Sequence, residues 1–182
     1  MHGLFGFGSN FQSVGRKLSA RRDVLLADLR NHGSSPWHDD ASLMAMADDV
    51  EALLKGLGTS VALCGHSLGG KVAMLTALRR PDLVSRLCVV DIAPVRYDMD
   101  GNRSIIELIL QLPEAALGSR ADADKALAAA APPAPAPGSA LGNPFVRQFL
   151  LQNLQPEQRS WLLLRAGGAI ARSFARTLLV FC

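Results

Sequence analysis

Hydrophobic residues recur along the first half of the chain with spacings that distinguish helices from strands. Residues 42–57 carry apolar side chains at i, i+3, i+4 and i+7 with charged ones opposite, which predicts an amphipathic helix capped by Ser42 and ended by Gly58. Residues 59–64 and 83–90 are short apolar runs that predict strands, and the continuous apolar run 87–90 is typical of a parallel strand covered on both faces. Their alternation with helices predicts an α/β fold with a doubly wound, mainly parallel sheet.

Three further segments are predicted to complete this sheet and its helices. Residues 10–20 predict a helix capped by Asn10, residues 24–27 a short strand, and residues 71–80 an almost wholly apolar, buried helix that Pro81 ends. The buried side of the first helix is predicted to consist of Phe11, Val14 and Leu18.

The pattern changes after residue 95, which divides the chain into a core over 1–95, a helical region over 96–160 and an apolar tail over 161–182. The helical stretches are predicted at 103–112, 122–130 and 143–154, with an Ala/Pro-rich linker over 126–138. Helices inserted after a sheet could form a lid over an active site, and plain connecting structure is the alternative.

Composition and charge narrow the classes of partner. With 182 residues and 49% hydrophobic content the chain can bury one sizeable core, and its net charge of +3 is spread without a basic stripe, so no nucleic-acid partner is expected. Three arginines interrupt the tail, so we expect no transmembrane span there. The tail over 161–182 is instead a candidate for weak membrane or protein contact.

The three cysteines do not predict a disulfide framework. Cys64 and Cys88 lie within apolar runs and Cys182 is the third, so we expect buried thiols in a reducing compartment, and we assign no cofactor and no metal. The sequence does not distinguish the cytoplasm from the mitochondrion, since a transit peptide would lie upstream of Met1.

A serine flanked by glycines follows the strand predicted at 59–64. Gly65-His66-Ser67-Leu68-Gly69 has the G-x-S-x-G form, which together with a strand before it and a helix after it predicts a nucleophile elbow holding Ser67 above the sheet edge. A glycine-rich turn with an incidental serine is the alternative. Asp91 follows the next strand, so both residues are expected at carboxyl ends of parallel strands, where α/β sheets bind ligands.

With these motifs in place, the chain resembles the α/β-hydrolase superfamily, and within it the YbfF-like and ABHD11-like serine esterases. The resemblance covers residues 2 to about 159 and fades after Trp161. Its motifs occur in the order expected of the family and are His2–Gly6, Asp28–Ser35, Gly65–Lys71 and Val90–Val95, with a looser match over 146–154 in the region of the lid.

The resemblance implies a serine hydrolase that acts on carboxylic esters or thioesters. It implies that Ser67 is the nucleophile, and that the backbone amides of Leu68 and Leu4 receive the oxyanion. Asp91 matches the triad acid of some members of the family, while in others the acid comes later and this aspartate would only cap a turn. Lys71 is expected to be structural or to line the mouth of the site.

The sequence lacks a counterpart of the family's general base. Family members supply this histidine near the C-terminus, whereas no histidine follows His66 here. His66 adjoins the serine on a turn where neighbouring side chains diverge, and His32 is a poor substitute base. Only Met1 precedes the first motif. We therefore expect a hydrolase truncated at both ends with impaired activity, and the alternative is a catalytically silent fragment or isoform that binds a ligand or partner.

Overall fold

A computed structural model describes residues 1–97 and 100–162 and divides the chain into two compact units. The first unit comprises residues 1–95 and has an α/β fold; the second begins at Arg96. The elements of the first unit are a 3₁₀ turn Gly8–Phe11 and then α1 (Gln12–Ser19), α2 (Leu43–Leu57), β1 (Val61–His66), α3 (Leu68–Arg79) and β2 (Val84–Val90).

The two strands of the first unit run parallel, with an irregularity between Val61 and Ala62. On the opposite side of β1, the Met1 amino group donates to the Cys64 carbonyl at 2.7 Å and the His66 amide donates to the Met1 carbonyl at 3.1 Å. This is the hydrogen-bond pattern of a parallel ladder. The start of the chain therefore occupies the position of a third strand beside β1. The sequence did not predict this pairing, because a single residue carries no strand pattern.

Helix α3 packs on both strands and α2 packs against α3, and the two helices carry the core of the first unit. Ser42 caps α2 by accepting a hydrogen bond from the Ala45 amide at 3.1 Å, and Gly58 ends it at a φ of 67°, as predicted. The fully buried apolar residues of the two helices are Met46, Ala47, Val72 and Ala73. The α3 helix begins at Leu68, three residues earlier than predicted, directly after the serine.

Several expectations for the first unit are wrong, because the described residues do not supply the packing or pairing partners that they required. Strand β2 was expected to be buried on both faces, yet Leu87 and Val90 are 43% and 41% exposed. The expected strand at 24–27 does not form, and Val14 and Leu18 on α1 are exposed rather than buried. The amphipathic patterns are present, but the surfaces they would pack against are not among the described residues.

The described part of the second unit consists of helices followed by a small antiparallel pair of strands. Its elements are α4 (Asp100–Leu110), α5 (Arg120–Ala130), α6 (Pro144–Leu151), β3 (Leu154–Gln155) and β4 (Ser160–Trp161), with 3₁₀ turns Glu114–Gly118, Ser139–Gly142 and Pro156–Gln158. Asn143 caps α6 through the Phe145 amide, with Pro144 at its first turn. The predicted helices are present at shifted ends, and Phe145 on α6 is exposed.

The tail predicted over 161–182 falls, from residue 163 onward, outside the described residues. Its membrane or protein contact stays a prediction. No helix in the described part of the chain is both long and apolar enough to cross a membrane.

Candidate active site

Ser67 occupies a sharp turn between β1 and α3. Its backbone has φ 49° and ψ −117°, a conformation that costs a residue with a side chain about 1–3 kcal/mol. The turn is held on both sides, because the Ser67 amide donates to the Val90 carbonyl at 3.0 Å and the Lys71 amide donates to the Ser67 carbonyl at 3.1 Å. The side chain is half-buried. This is the strained strand-turn-helix that the sequence predicts.

Two glycines allow the backbone segments around Ser67 to approach each other. A methyl group on Gly65 would overlap the Gly69 carbonyl, and one on Gly69 would come within 2.5 Å of the His2 carbonyl oxygen. Both positions therefore exclude any side chain for steric reasons, which supports the elbow over an incidental glycine-rich turn.

The loop that begins at His2 lies directly against the serine. A methyl group on Gly3 would lie 3.1 Å from the Ser67 Cβ. The buried His2 ring holds this loop in place, since its Nε2 accepts the Leu29 amide at 3.0 Å and its Nδ1 therefore donates to the Gly3 carbonyl at 2.8 Å. Burial lowers the pKa of His2, so the neutral form that this bonding needs is favoured.

Two backbone amides beside the serine have no acceptor among the described residues. The Leu68 amide is the first of α3 and finds no partner within the helix, while the next amide, that of Gly69, donates to the His2 carbonyl at 3.0 Å. The Leu4 amide follows Gly3 in the loop against Ser67 and also lacks an acceptor in the described part of the chain. These are the two amides that the resemblance implies for the oxyanion.

Asp91 follows β2 and lies close to His66. Its backbone has φ 55°, its side chain is 86% exposed, and its Oδ2 is 3.8 Å from the His66 Nε2. The carboxylate thus lies at the same sheet edge as the elbow, as predicted from the strand order. Its contact at that edge is the ring of His66, a residue not expected to act as the base.

None of the four histidines, all of which lie in the described residues, hydrogen-bonds with the Ser67 hydroxyl. The His32 ring is buried 4.9 Å from that of His2, and its Nδ1 lies 3.0 Å from the Arg30 carbonyl oxygen. Burial lowers the pKa of His32 to about 4. A histidine held this way supports the loop, and a ring with so low a pKa is a weak base.

Asp28 connects the loop that contains Gly8 with the loop that contains Ser34. The sequence alone did not reveal this role. Its Oδ1 accepts the Gly8 amide at 2.7 Å, and its Oδ2 accepts both the amide and the hydroxyl of Ser34 at 2.9 Å. Burial alone would raise its pKa, but the hydrogen bonds from Ser34 and Gly8 hold the pKa below its usual value. The available signal was that Asp28 opens the Asp28–Ser35 motif, one of the four that carry the resemblance.

Lys71 is buried one helical turn after the serine. Its Nζ donates to the Val95 carbonyl at 2.8 Å, and burial lowers its pKa. The side chain therefore anchors the segment that follows Asp91 to α3. Of the two roles considered from sequence, the structural one fits this position.

No group of three or more His, Cys, Asp or Glu side chains within residues 1–97 and 100–162 is arranged to hold a metal ion.

Comparison with known proteins identifies the same region. The family described as alpha/beta hydrolase fold matches residues 1–161. The sn-1-specific diacylglycerol lipase ABHD11 of Mus musculus is 43% identical over 162 residues, which cover 85% of this chain and 50% of the mouse protein. A putative esterase/lipase of Haemophilus influenzae is 40% identical over 58% of this chain and 37% of its own length. The chain spans about half the length, or less, of these relatives.

Solved structures agree at the level of the fold. A marine microorganism esterase superposes with a TM-score of 0.78 at 32% identity, covering 94% of this chain and 66% of the esterase. The E-2-(acetamidomethylene)succinate hydrolase superposes with a TM-score of 0.62 at 21% identity, covering 97% of this chain and 65% of that one, and shows the fold alone.

Proposed function

The chain belongs to the α/β-hydrolase fold family, and from that premise we propose that it is a serine hydrolase that acts on carboxylic esters or thioesters through an acyl-enzyme at Ser67. The observation that carries the proposal is the strained backbone of Ser67 between β1 and α3, with the Gly3 loop packed against it. An incidental serine in a turn would not need that strain.

In the proposed acylation the Ser67 Oγ attacks the carbonyl carbon of the substrate and forms a new C–O bond. The carbonyl oxygen becomes an oxyanion, which the Leu4 and Leu68 amides receive. Collapse expels the alcohol or thiol, and water then releases the acid from Ser67. Removing one such amide donor typically costs about 10²–10³ in rate.

Proton transfer from Ser67 requires a base that hydrogen-bonds with its hydroxyl, and none of the histidines does so among the described residues. The hydroxyl proton of Ser67 must pass to a base, and Asp91 is proposed as the acid that orients a base imidazole at this sheet edge. Because none of the chain's histidines hydrogen-bonds with Ser67 among the described residues, we propose that acylation by this chain alone is slow. In serine proteases that lack a triad member, a residual enhancement of about 10³–10⁴ over water comes from the oxyanion hole and binding.

An acyl ester is the substrate class that the relatives favour. The mouse relative is named a diacylglycerol lipase and the Haemophilus relative an esterase/lipase, and the superposed marine protein is an esterase. Thioesters share the carbonyl chemistry and stay within the proposal. Residues 96–160 are proposed as the lid that sets acyl preference.

A catalytically silent hydrolase fold that binds a ligand or partner is the second candidate. The observation that favours it is the lack of a histidine bonded to Ser67 in the described part of the chain. The two candidates differ in whether the Ser67 hydroxyl can form a covalent bond with a carbonyl substrate.

Intact-mass analysis of the full chain incubated with p-nitrophenyl butyrate tests the proposed function. We expect a mass gain of one butyryl group, mapped by peptide sequencing to Ser67 and absent from Ser67→Ala. Ser60, which is exposed just before β1, provides the matched control Ser60→Ala, which should acylate like the parent. Lack of any acyl adduct over hours at saturating ester would favour the silent alternative.

A further inference from the structure

Cys64 and Cys88 lie directly opposite each other on neighbouring strands. The parallel register pairs Cys64 of β1 with Cys88 of β2, so their side chains leave the sheet on the same face. Both cysteines are exposed. The sequence-based expectation of buried thiols is therefore wrong for these two, because α3 packs on the opposite face of the sheet, the face of Leu63 and Gly65.

The spacing of the pair suits a covalent bond. Neighbouring strands lie about 4.7–4.9 Å apart, and disulfides join cysteines whose Cα atoms are about 4.4–6.8 Å apart. The two thiols lie close enough to affect each other, since Cys88 is among the groups that raise the pKa of Cys64. Joining them therefore requires rotation about side-chain bonds rather than movement of either strand.

The surroundings of Cys64 favour its protonated thiol. Although the residue is exposed, partial desolvation of its thiol raises the pKa of Cys64, and the interaction with Cys88 raises that pKa further. Since the thiolate is the nucleophile, the reaction of the pair with an oxidant should accelerate as the pH rises above neutrality.

We propose that Cys64 and Cys88 form a modification site at which a hydroperoxide closes a reversible cross-strand disulfide. One thiolate attacks a peroxide oxygen, the O–O bond breaks, and a sulfenic acid forms on that cysteine with release of water. The second thiolate attacks the sulfenic sulfur and expels hydroxide, which takes up a proton. In total, two thiols and one hydrogen peroxide give one disulfide and two waters.

The proposed disulfide would lie on the two strands that carry Ser67 and Asp91 at their ends. Cys64 precedes Ser67 by three residues on β1, and Cys88 precedes Asp91 by three residues on β2. A disulfide would fix the two strands that carry these residues and would close the chain segment containing α3. Constraining that segment in the unfolded chain raises thermal stability, so the oxidised protein should unfold at a higher temperature than the reduced one.

The test uses the full chain carrying Cys182→Ser, which removes the third thiol. After treatment with hydrogen peroxide, we expect a non-reduced peptide map to contain a cross-linked peptide joining residues 64 and 88, loss of both alkylatable thiols, and a higher midpoint of thermal unfolding. Dithiothreitol should reverse all three changes.

Matched variants separate the proposed pair from other thiol chemistry. Adding Cys64→Ser or Cys88→Ser to the Cys182→Ser background should abolish the cross-linked peptide and leave one alkylatable thiol. Separate oxidation of the two thiols to sulfinic acids, or disulfide-linked dimers in place of the internal bond, would overturn the proposal. The map of the Cys182→Ser protein decides the question even if a double variant fails to fold.

Discussion

The Gly69 amide donates a hydrogen bond to the His2 carbonyl at 3.0 Å, and this bond joins the first turn of α3 to the loop at the start of the chain. The two segments that carry the proposed oxyanion donors thus share a direct backbone bond. Leu68 precedes Gly69 and Leu4 lies two residues after His2, so the position of one donor depends on that of the other.

Replacing Gly69 by alanine should disrupt this arrangement. The new methyl group would come within 2.5 Å of the His2 carbonyl oxygen and must displace the loop. We expect acylation at Ser67 to fall by about 10²–10³, the effect of losing one oxyanion donor. Acyl-adduct formation from p-nitrophenyl butyrate measures this rate.

Gly56→Ala is the control for Gly69→Ala. Gly56 lies inside α2, and no atom is within 4 Å of where its methyl group would be. We expect about 0.5–1 kcal/mol of added stability and an unchanged acylation rate. Equal acylation by both alanine variants would contradict the role given to the loop.

Burial of His32 predicts that the protein loses stability below neutral pH. In the unfolded chain His32 takes up a proton near pH 6.5, whereas burial lowers its pKa in the folded protein to about 4. The unfolded state therefore binds more protons in this window. The contribution of neutral His32 to the free energy of unfolding is fully present above about pH 6.5. It is lost, by up to about 3 kcal/mol, as the pH falls towards 4. Urea unfolding at a series of pH values between 7 and 4 measures this change in the free energy of unfolding.

The contribution of His32 can be separated by substitution. His32→Gln should be less stable at pH 7 but show a flatter dependence on pH, with the neighbouring His2 supplying what remains. The exposed His38 provides the control His38→Gln, which should keep the parent's dependence. An equally steep loss in His32→Gln would show that other groups are responsible.

Asp28→Asn tests the connection between the two loops. The amide keeps one acceptor oxygen but places a donor group where the other oxygen accepts hydrogen bonds from Gly8 or Ser34. We expect a loss of about 2–3 kcal/mol in the free energy of unfolding at pH 7. Because the pKa of Asp28 is lowered on folding, this contribution is present above about pH 3.8 and disappears as the pH falls through the folded value.

The exposed Asp23 provides the control Asp23→Asn for the same measurement. It should unfold within about 0.5 kcal/mol of the parent at pH 7. Similar losses in the two variants would indicate a general charge effect rather than the hydrogen bonds of Asp28.

Lys71→Met tests whether the lysine anchors the segment that follows Asp91. Methionine fills a comparable volume but cannot donate to the Val95 carbonyl. We expect amide hydrogen exchange in the peptide covering residues 91–95 to become several-fold faster, because local opening loses one restraint. Lys55→Met on the exposed side of α2 should leave that peptide unchanged, and equal exchange in both variants would rule out the anchor.

How much the sequence could predict depended on whether a feature was local. The cap at Ser42, the end of α2 at Gly58 and the elbow at Ser67 each follow from a few adjacent residues, and all three are present. The strand expected at 24–27 and the burial of β2 required partners elsewhere, which the described residues do not supply. Periodicity identifies an apolar face but does not say whether that face is covered.

The same distinction applies to the candidate site. Ser67 and its neighbour Leu68 were identifiable from the motif alone, whereas the parallel ladder of Met1 with β1 depends on distant backbone hydrogen bonds. The role of Asp28 depends on two loops meeting in space. The exposure of Cys64 also could not be predicted from its apolar flanks, because it depends on which face of the sheet the helices occupy.

The central claim is that Ser67 is a reactive hydroxyl held at an oxyanion site, and labelling of the full chain with a fluorophosphonate probe tests it most directly. We predict covalent phosphonylation that peptide mapping assigns to Ser67, that Ser67→Ala abolishes, and that Ser60→Ala retains. Labelling that persists in Ser67→Ala, or that fails to occur in the parent over hours at saturating probe, would contradict the account.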